Sequence, residues 1–309
     1  MKTHLASLAR AALALAAALP LGAADTVLAP GARVEKLAGE FQFTEGPTAD
    51  AAGNVFFTDQ PNNRILRWSV DGKLATFAQP AGRANGMCFD ARGNLLVCAD
   101  ENTELWLVPA ASIARGTLDG KQVLAREYRG KRLNGPNDVW AHPGGALYFT
   151  DPFYKRPWWT WDQMPQDGQH VYRLAPDHQT LTRVAEDLKQ PNGIVGTPDG
   201  RTLYVADIGD RKTYRFTIRE DGSLADRALF CELGSDGMTL DAEGNLYLTG
   251  RGVTVFDKTG RQIEHIPVPE NWTANVCFGG ADRQTLFITA SKGLYAVRTR
   301  VKGAFPAGK

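Results

Sequence analysis

Glu45-Gly-Pro-Thr-Ala-Asp-Ala-Ala-Gly53-Asn-Val-Phe-Phe-Thr58 places an acidic residue eight positions ahead of a glycine turn and a short apolar run directly after it. The arrangement recurs five more times, with Asn85 ahead of Gly93, Asn137 of Gly145, Asn192 of Gly200, Asp236 of Gly244 and Asn275 of Arg283. The runs that follow are Asn94-Leu-Leu-Val-Cys98, Ala146-Leu-Tyr-Phe-Thr150, Thr202-Leu-Tyr-Val-Ala206, Asn245-Leu-Tyr-Leu-Thr249 and Thr285-Leu-Phe-Ile-Thr289. Each unit reads as a β-hairpin. Self-similarity at roughly 40 to 50 residues, with several short strands per unit, is the mark of a propeller whose repeats are blades. The expectation is an all-β, six-bladed β-propeller. Innermost strands line the axis of such a fold, so the six leading residues should converge on one ring.

That ring would hold Glu45, Asp236 and four asparagines, Asn85, Asn137, Asn192 and Asn275. Carboxylates and amide carbonyls offer only oxygen, the donor set that calcium and other hard divalent cations prefer. Two carboxylates taken from water without a counter-charge cost several kcal/mol each. A central cation therefore explains acids at positions 45 and 236 where other blades carry neutral amides. Turn chemistry alone accounts for Asn and Asp at strand starts. It does not require Glu at position 45.

Lys2 and Arg10, the apolar stretch Ala11 to Leu21 and the small residues Gly22-Ala-Ala24 read as a secretory signal over residues 1–24. The stretch is too short for a stable membrane anchor. Residues 25–309 then form one large β domain, expected to be periplasmic or secreted after cleavage near Ala24. With 35 basic and 34 acidic residues and no block of like charge, neither a nucleic acid nor a membrane is an expected partner. A small molecule is. Cys88, Cys98, Cys231 and Cys277 match no zinc spacing. Across its hairpin Cys88 faces Leu96 rather than Cys98, so buried free thiols are expected.

Along the chain, Arg33 to Phe43 should supply the outer strand that completes the last blade beside Thr285–Thr289 and Gly293–Arg298. Blade one runs from about Gly46 to Ala78, blade two from about Gly86 to Tyr128, and blade three begins at Asp138. The irregular segment from Phe153 to Pro165, with Trp158, Trp159 and Trp161, interrupts blade three. It either lies over the channel mouth as a lid or aromatic wall, or packs against the outer sheet. Loops at one end of a rigid scaffold concentrate binding functions.

Phe43-Thr-Glu45-Gly-Pro47, Gly130-Lys-Arg-Leu-Asn134-Gly-Pro-Asn137-Asp138, Tyr148-Phe-Thr-Asp151-Pro, Gln190-Pro-Asn192-Gly and Ser235-Asp236-Gly-Met238, in this order, resemble the SMP-30/gluconolactonase/regucalcin-like (LRE) propellers, in particular the bacterial gluconolactonase branch. The resemblance covers nearly all of residues 25–309. It implies a cation held by Glu45, Asn137, Asn192 and Asp236, with Asp236 acting in catalysis. The animal branch carries an arginine two residues before the third-blade Asn, and this chain has Gly135 there. Arg132 is a candidate substitute.

A divalent cation, calcium first and magnesium, manganese or zinc as alternatives, would polarise a lactone carbonyl and stabilise the oxyanion formed when water adds. Asp236 would take the water's proton or, as the second option, attack directly. Asn85, Asn134 and Asn275 are candidates for binding sugar hydroxyls, and His170 is a further substrate-side candidate. No Gly-x-Ser-x-Gly elbow competes. The expected activity is hydrolysis of an aldonolactone such as glucono-1,5-lactone. A phosphotriesterase or fluorophosphatase on the same metal, and a non-catalytic ligand-binding propeller with a structural ion, are the alternatives.

Overall fold

All six turns close. In the computed structural model, which describes residues 26–305 and so leaves the expected signal segment outside, the amide of Gly53 returns to the carbonyl of Asp50. Gly93, Gly145, Gly200, Gly244 and Arg283 return in the same way to Asp90, His142, Thr197, Asp241 and Gly280. The five glycines stand at φ between 73 and 91°, and Arg283 at 59°, the left-handed region that favours glycine. Three turns carry an additional staple. Asp50 accepts the Asn54 backbone amide on Oδ1 (2.9 Å) and its Nδ2 on Oδ2 (2.8 Å), and the pairs Asp90–Asn94 and Asp241–Asn245 repeat it.

From these hairpins grow six four-stranded antiparallel sheets. Blade one is Thr44–Ala49, Val55–Asp59, Arg64–Trp68 and Leu74–Ala78; blade two is Ala84–Phe89, Leu95–Ala99, Glu104–Val108 and Gln122–Ala125. Blade three is Val139–Ala141, Leu147–Asp151, Gln169–Leu174 and Leu181–Leu188; blade four is Pro191–Gly196, Thr202–Asp207, Lys212–Ile218 and Leu224–Cys231. Blade five is Met238–Leu240, Leu246–Gly250, Gly252–Phe256 and Gln262–Ile266. Blade six takes Thr273–Gly279, Thr285–Ala290 and Gly293–Arg298, and its outer strand is the N-terminal Glu35–Ala38. Glu35 faces Ala296 and Lys36 faces Tyr295, so the ring is closed by joining its two ends, as expected from sequence. Blade two stops at Ala125 rather than Tyr128, which belongs to a separate small hairpin, Glu127–Tyr128 with Lys131–Arg132.

The apolar runs are continuous because both faces of each blade are buried. Val55 and Phe57 point into a cluster with Cys277, Phe287 and Leu294 of blade six. Phe56, between them, packs with Met87, Leu95 and Val97 of blade two. Among the described residues each junction of neighbouring blades has its own hydrophobic cluster. The first strands touch in cyclic order, blade one to two and onward to six, and blade six again to one. The fold is thus a six-bladed β-propeller, and its axis is lined by the segments that carry the six leading residues.

Candidate active site

Each leading residue stands where the first strand's ladder with its neighbour breaks. Register shifts fall at Glu45/Thr48, Ala84/Met87, Pro191/Ile194 and Thr273/Asn275, while in blades three and five the first strand begins only after Asn137 and Asp236. Such irregularities re-aim side chains. Second-strand threonines fix the ring from behind. The hydroxyl of Thr58 donates to the Asn85 carbonyl (3.3 Å), and that of Thr150 donates to the Asn192 carbonyl (2.7 Å). A Cβ on Gly46 would lie 2.0 Å from the carbonyl oxygen of Asn85, and one on Gly237 would lie 1.9 Å from Cγ of Asn275. Glycine after Glu45 and Asp236 is therefore what lets the next blade's ring residue approach.

The site centres on Asp236. Its Oδ1 accepts from Asn192 Nδ2 (2.8 Å) and its Oδ2 from the indole Nε1 of Trp272 (2.6 Å). Asn192 Nδ2 also donates to the Tyr154 hydroxyl (2.9 Å), so both amide hydrogens are spent and Oδ1 is buried with no hydrogen-bond partner among the described residues. Glu45 is 4 % exposed and accepts the Gly46 amide on Oε2 (2.9 Å). Burial, and then the neighbouring Asp236 charge, push its pKa well above the ordinary range. Burial likewise raises Asp236, against the pull of its two hydrogen bonds and of the Arg156 charge. Asp138, directly after Asn137, is a third buried carboxylate, pushed up to about 7 chiefly by burial. Asn275 sits against both Glu45 and Asp138. Asn85 and Asn137 are also buried on this ring, and the carbonyl of Asn137 takes the Gly86 amide at 2.8 Å.

An orphaned amide oxygen beside crowded acids suits an oxygen-loving cation. Among the described residues no three His, Cys, Asp or Glu side chains gather closely enough to hold a metal by themselves. A cation on the ring would need the amide oxygens as well.

Three candidates for substrate binding lie away from the ring. Asn134 is fully buried and spends its amide on the carbonyls of Asp151 (3.0 Å) and Gly168 (2.8 Å) and on the Gln166 amide (3.0 Å). It shapes the backbone beneath the insertion and has no group left for a sugar. Arg132 is exposed on the small hairpin, with its guanidinium stacked 4.1 Å over the Trp161 ring. His170 is buried in the third strand of its blade and bonded to Asp167 (3.1 Å), which Arg183 pairs with in turn.

The insertion, by contrast, reaches the ring. Tyr154 touches Asn192, Arg156 pairs with the buried Asp100 (2.6 Å), and Trp159 donates its indole N–H to the Asp100 carbonyl (2.8 Å) while stacking on Trp161 at 5.0 Å. It therefore flanks the mouth and does not cover the outer sheet. A Cβ on Gly135 (φ 151°) would lie 2.9 Å from Asp100 Oδ1 and 3.0 Å from Trp159, so this chain has no room for an arginine there. Tyr154, Arg156, Asp138 and Trp272 escaped sequence reasoning. Asp138 alone carried a signal, since it stands where Glu45, Asn85, Asn192 and Asp236 are each followed by glycine. The four cysteines are free, as expected, and burial raises the thiol of Cys88 to about 12 and that of Cys231 to about 11.

With this geometry in view, comparison with known proteins is specific. The family described as SMP-30/Gluconolactonase/LRE-like region matches residues 43–292. The chain belongs to that family. A gluconolactonase of Zymomonas mobilis subsp. mobilis is 29% identical over 303 residues, covering 90% of this chain and 85% of its own. The solved structure of a gluconolactonase from Xanthomonas campestris superposes with a TM-score of 0.80 at 32% identity, covering 88% of this chain and 91% of that one. A regucalcin from Agrobacterium tumefaciens, described as calcium-binding, shares the fold at 24% identity and a TM-score of 0.71, covering 90% and 97% of the two chains.

Proposed function

We infer that this protein hydrolyses sugar lactones to the open acids, with a divalent cation, calcium foremost, held by Glu45, Asn137, Asn192 and Asp236. The gluconolactonases among its relatives support the reaction class. One observation carries the site: the buried Glu45 and the half-buried Asp236 crowd together on the axis, next to an amide oxygen with no partner among the described residues. A cation bound there would polarise the lactone carbonyl and acidify an attacking water.

The chain's own part turns on Asp236. Trp272 and Asn192 hold both of its oxygens, so the carboxylate keeps one orientation toward the channel. Beside a bound cation the carboxylate would stay ionised and be a weak base, which suffices because the attacking water would itself be acidified. As water adds to the carbonyl carbon, Asp236 takes the water's proton. When the tetrahedral carbon expels the ring oxygen, Asp236 returns the proton to it, leaving a carboxylic acid and a new hydroxyl. Asn85, buried on the same ring, would meet a substrate oxygen, as would Asn275 once a cation drew Glu45 away from it.

Residues 1–24 act as an export signal, and the protein works in the periplasm or outside the cell. Both parts of the proposal can be tested. Mature protein stripped with chelator should lose pH-stat hydrolysis of glucono-1,5-lactone above the spontaneous rate and regain it with calcium. No turnover with any divalent cation would refute the reading, and the same preparation turning over a phosphotriester instead would replace it. Export requires that the protein recovered outside the cytoplasm begin near Asp25.

A further inference from the structure

Blades one, three and four end their second strand on an aspartate whose carboxylate clamps the chain entering the blade. Asp59 accepts the amides of Gln42 (3.0 Å) and Phe43 (3.3 Å), Asp151 those of Asn134 (2.9 Å) and Gly135 (2.8 Å), and Asp207 those of Lys189 (2.8 Å) and Gln190 (2.9 Å). Blade two has the aspartate, Asp100, but not the clamp. There Asn63 of blade one holds the incoming chain, its Oδ1 accepting from the amides of Ala81 (2.9 Å) and Arg83 (2.7 Å). Asp100 is thereby released. Its Oδ2 accepts from Gln60 Nε2 (2.9 Å) and lies 2.6 Å from Nε of Arg156, and the carboxylate is 2 % exposed.

Arg156 is the only residue of the insertion that this buried acid pairs with among the described ion pairs, and it is held on its other sides as well. Its guanidinium lies 5.4 Å from the centre of the Tyr154 ring and 5.7 Å from that of Trp158, and its side chain is 20 % exposed. Tyr154 is bonded to the ring residue Asn192, and Asp236 lies within the field of the arginine. Among the described residues, neither terminal nitrogen of Arg156 donates a hydrogen bond to the protein. Those terminal nitrogens are not among the side-chain atoms sealed from solvent without a partner, so two charged donors remain free to take an oxygen from a ligand, and a charge-assisted hydrogen bond is the stronger kind.

We propose that Arg156, tethered by Asp100, is a specificity-determining residue whose terminal N–H groups hold an oxygen of the lactone and the carboxylate of the product acid. This rests on the lactonase reading. The tryptophan-rich insertion then has a role of its own, since its Tyr154 and Trp158 flank the arginine and the fork is presented beside the ring. Arg132, the candidate taken from sequence, is occupied with Trp161 on the exposed hairpin.

The test uses the calcium-loaded mature protein and the variants Arg156→Gln, Arg156→Lys and Asp100→Asn. KM and kcat are measured for glucono-1,5-lactone, and the Kd of gluconate is measured by calorimetry. Arg156→Gln should raise KM and the gluconate Kd by about 10-fold or more, the scale of one charge-assisted hydrogen bond, with kcat nearly unchanged. Arg156→Lys should recover part of the loss, and Asp100→Asn should shift both constants in the same direction by less. Terbium luminescence should give all variants the wild-type ion affinity, which separates this role from the ring's. Wild-type KM and gluconate affinity in Arg156→Gln would overturn the proposal and leave the lactonase reading standing. If the wild type turns over no lactone, that reading fails, and gluconate binding still decides: weaker binding in Arg156→Gln supports the role of Arg156, whereas equal binding, or none even by wild type, overturns it.

Discussion

Asp236 occupies a position that destabilises the metal-free chain and serves the reaction. It is half-buried beside Glu45 and Asp138, and its pKa is driven upward. Asp236→Asn should lower kcat by about 10²- to 10⁴-fold, the usual contribution of a positioned proton acceptor. The same variant should melt at a higher temperature than wild type in chelator, because a charge that repels Glu45 and Asp138 has been removed. Steady-state kinetics and thermal melts check both, and undiminished turnover would remove Asp236 from the mechanism. Trp272 allows a finer test. Its N–H bond to Asp236 favours the ionised carboxylate, so Trp272→Phe should move the acidic limb of the kcat–pH profile to higher pH. A limb that stays in place, or moves lower, would show that another group controls it. At this scale the ring was legible because Glu45 and Asp236 repeat at a fixed offset from a turn. Trp272 and Arg156 were not, since both reach the site from segments outside the repeat, where spacing carries no information.

The hairpin is the element from which the molecule is built, and the Asp-x-x-x-Asn staple defines it in three blades. Asp90 accepts the amides of Arg92 (2.9 Å) and Asn94 (2.8 Å) and the side chain of Asn94 (2.8 Å), while Asn94 in turn receives the Ala110 amide (3.0 Å). Asp90→Ala should cost about 1–2 kcal/mol, lowering Tm by roughly 2–3 °C for a chain of this size, with kcat unaltered because the turn lies at the far end of the strand from Asn85. A melt matching wild type would reduce the staple to decoration. Strand positions were readable because turn chemistry and two-sided burial leave strong local marks, as in Val55-Phe-Phe57. The insertion's course was not. Trp159 docks on Asp100 and Tyr154 on Asn192, and both partners are distant in sequence.

Across the whole molecule, buried acids shape how stability responds to pH. Asp100 is raised to about 6, and Asp138 and Asp151 to about 7, each chiefly by burial. The native state therefore keeps protons that the unfolded chain releases near pH 4. The stabilising contribution of these groups is complete below about pH 4 and is lost as pH rises toward 7, which is the reverse of ordinary acid denaturation. Surface carboxylates such as Asp167 and Asp282, held down at about 2 by arginine partners, act with the opposite sign only between about pH 4 and 2. Melting temperature measured in chelator should thus fall between pH 5 and 7, and a rise would contradict the assignment. Calcium should flatten the slope through its effect on Asp138's neighbours. The seam that joins Glu35–Ala38 to Gly293–Arg298 has a consequence in time. Glu35–Ala38 finds its partner only once Gly293–Arg298 has been made, so the circle stays open while the five blades between them are being synthesised.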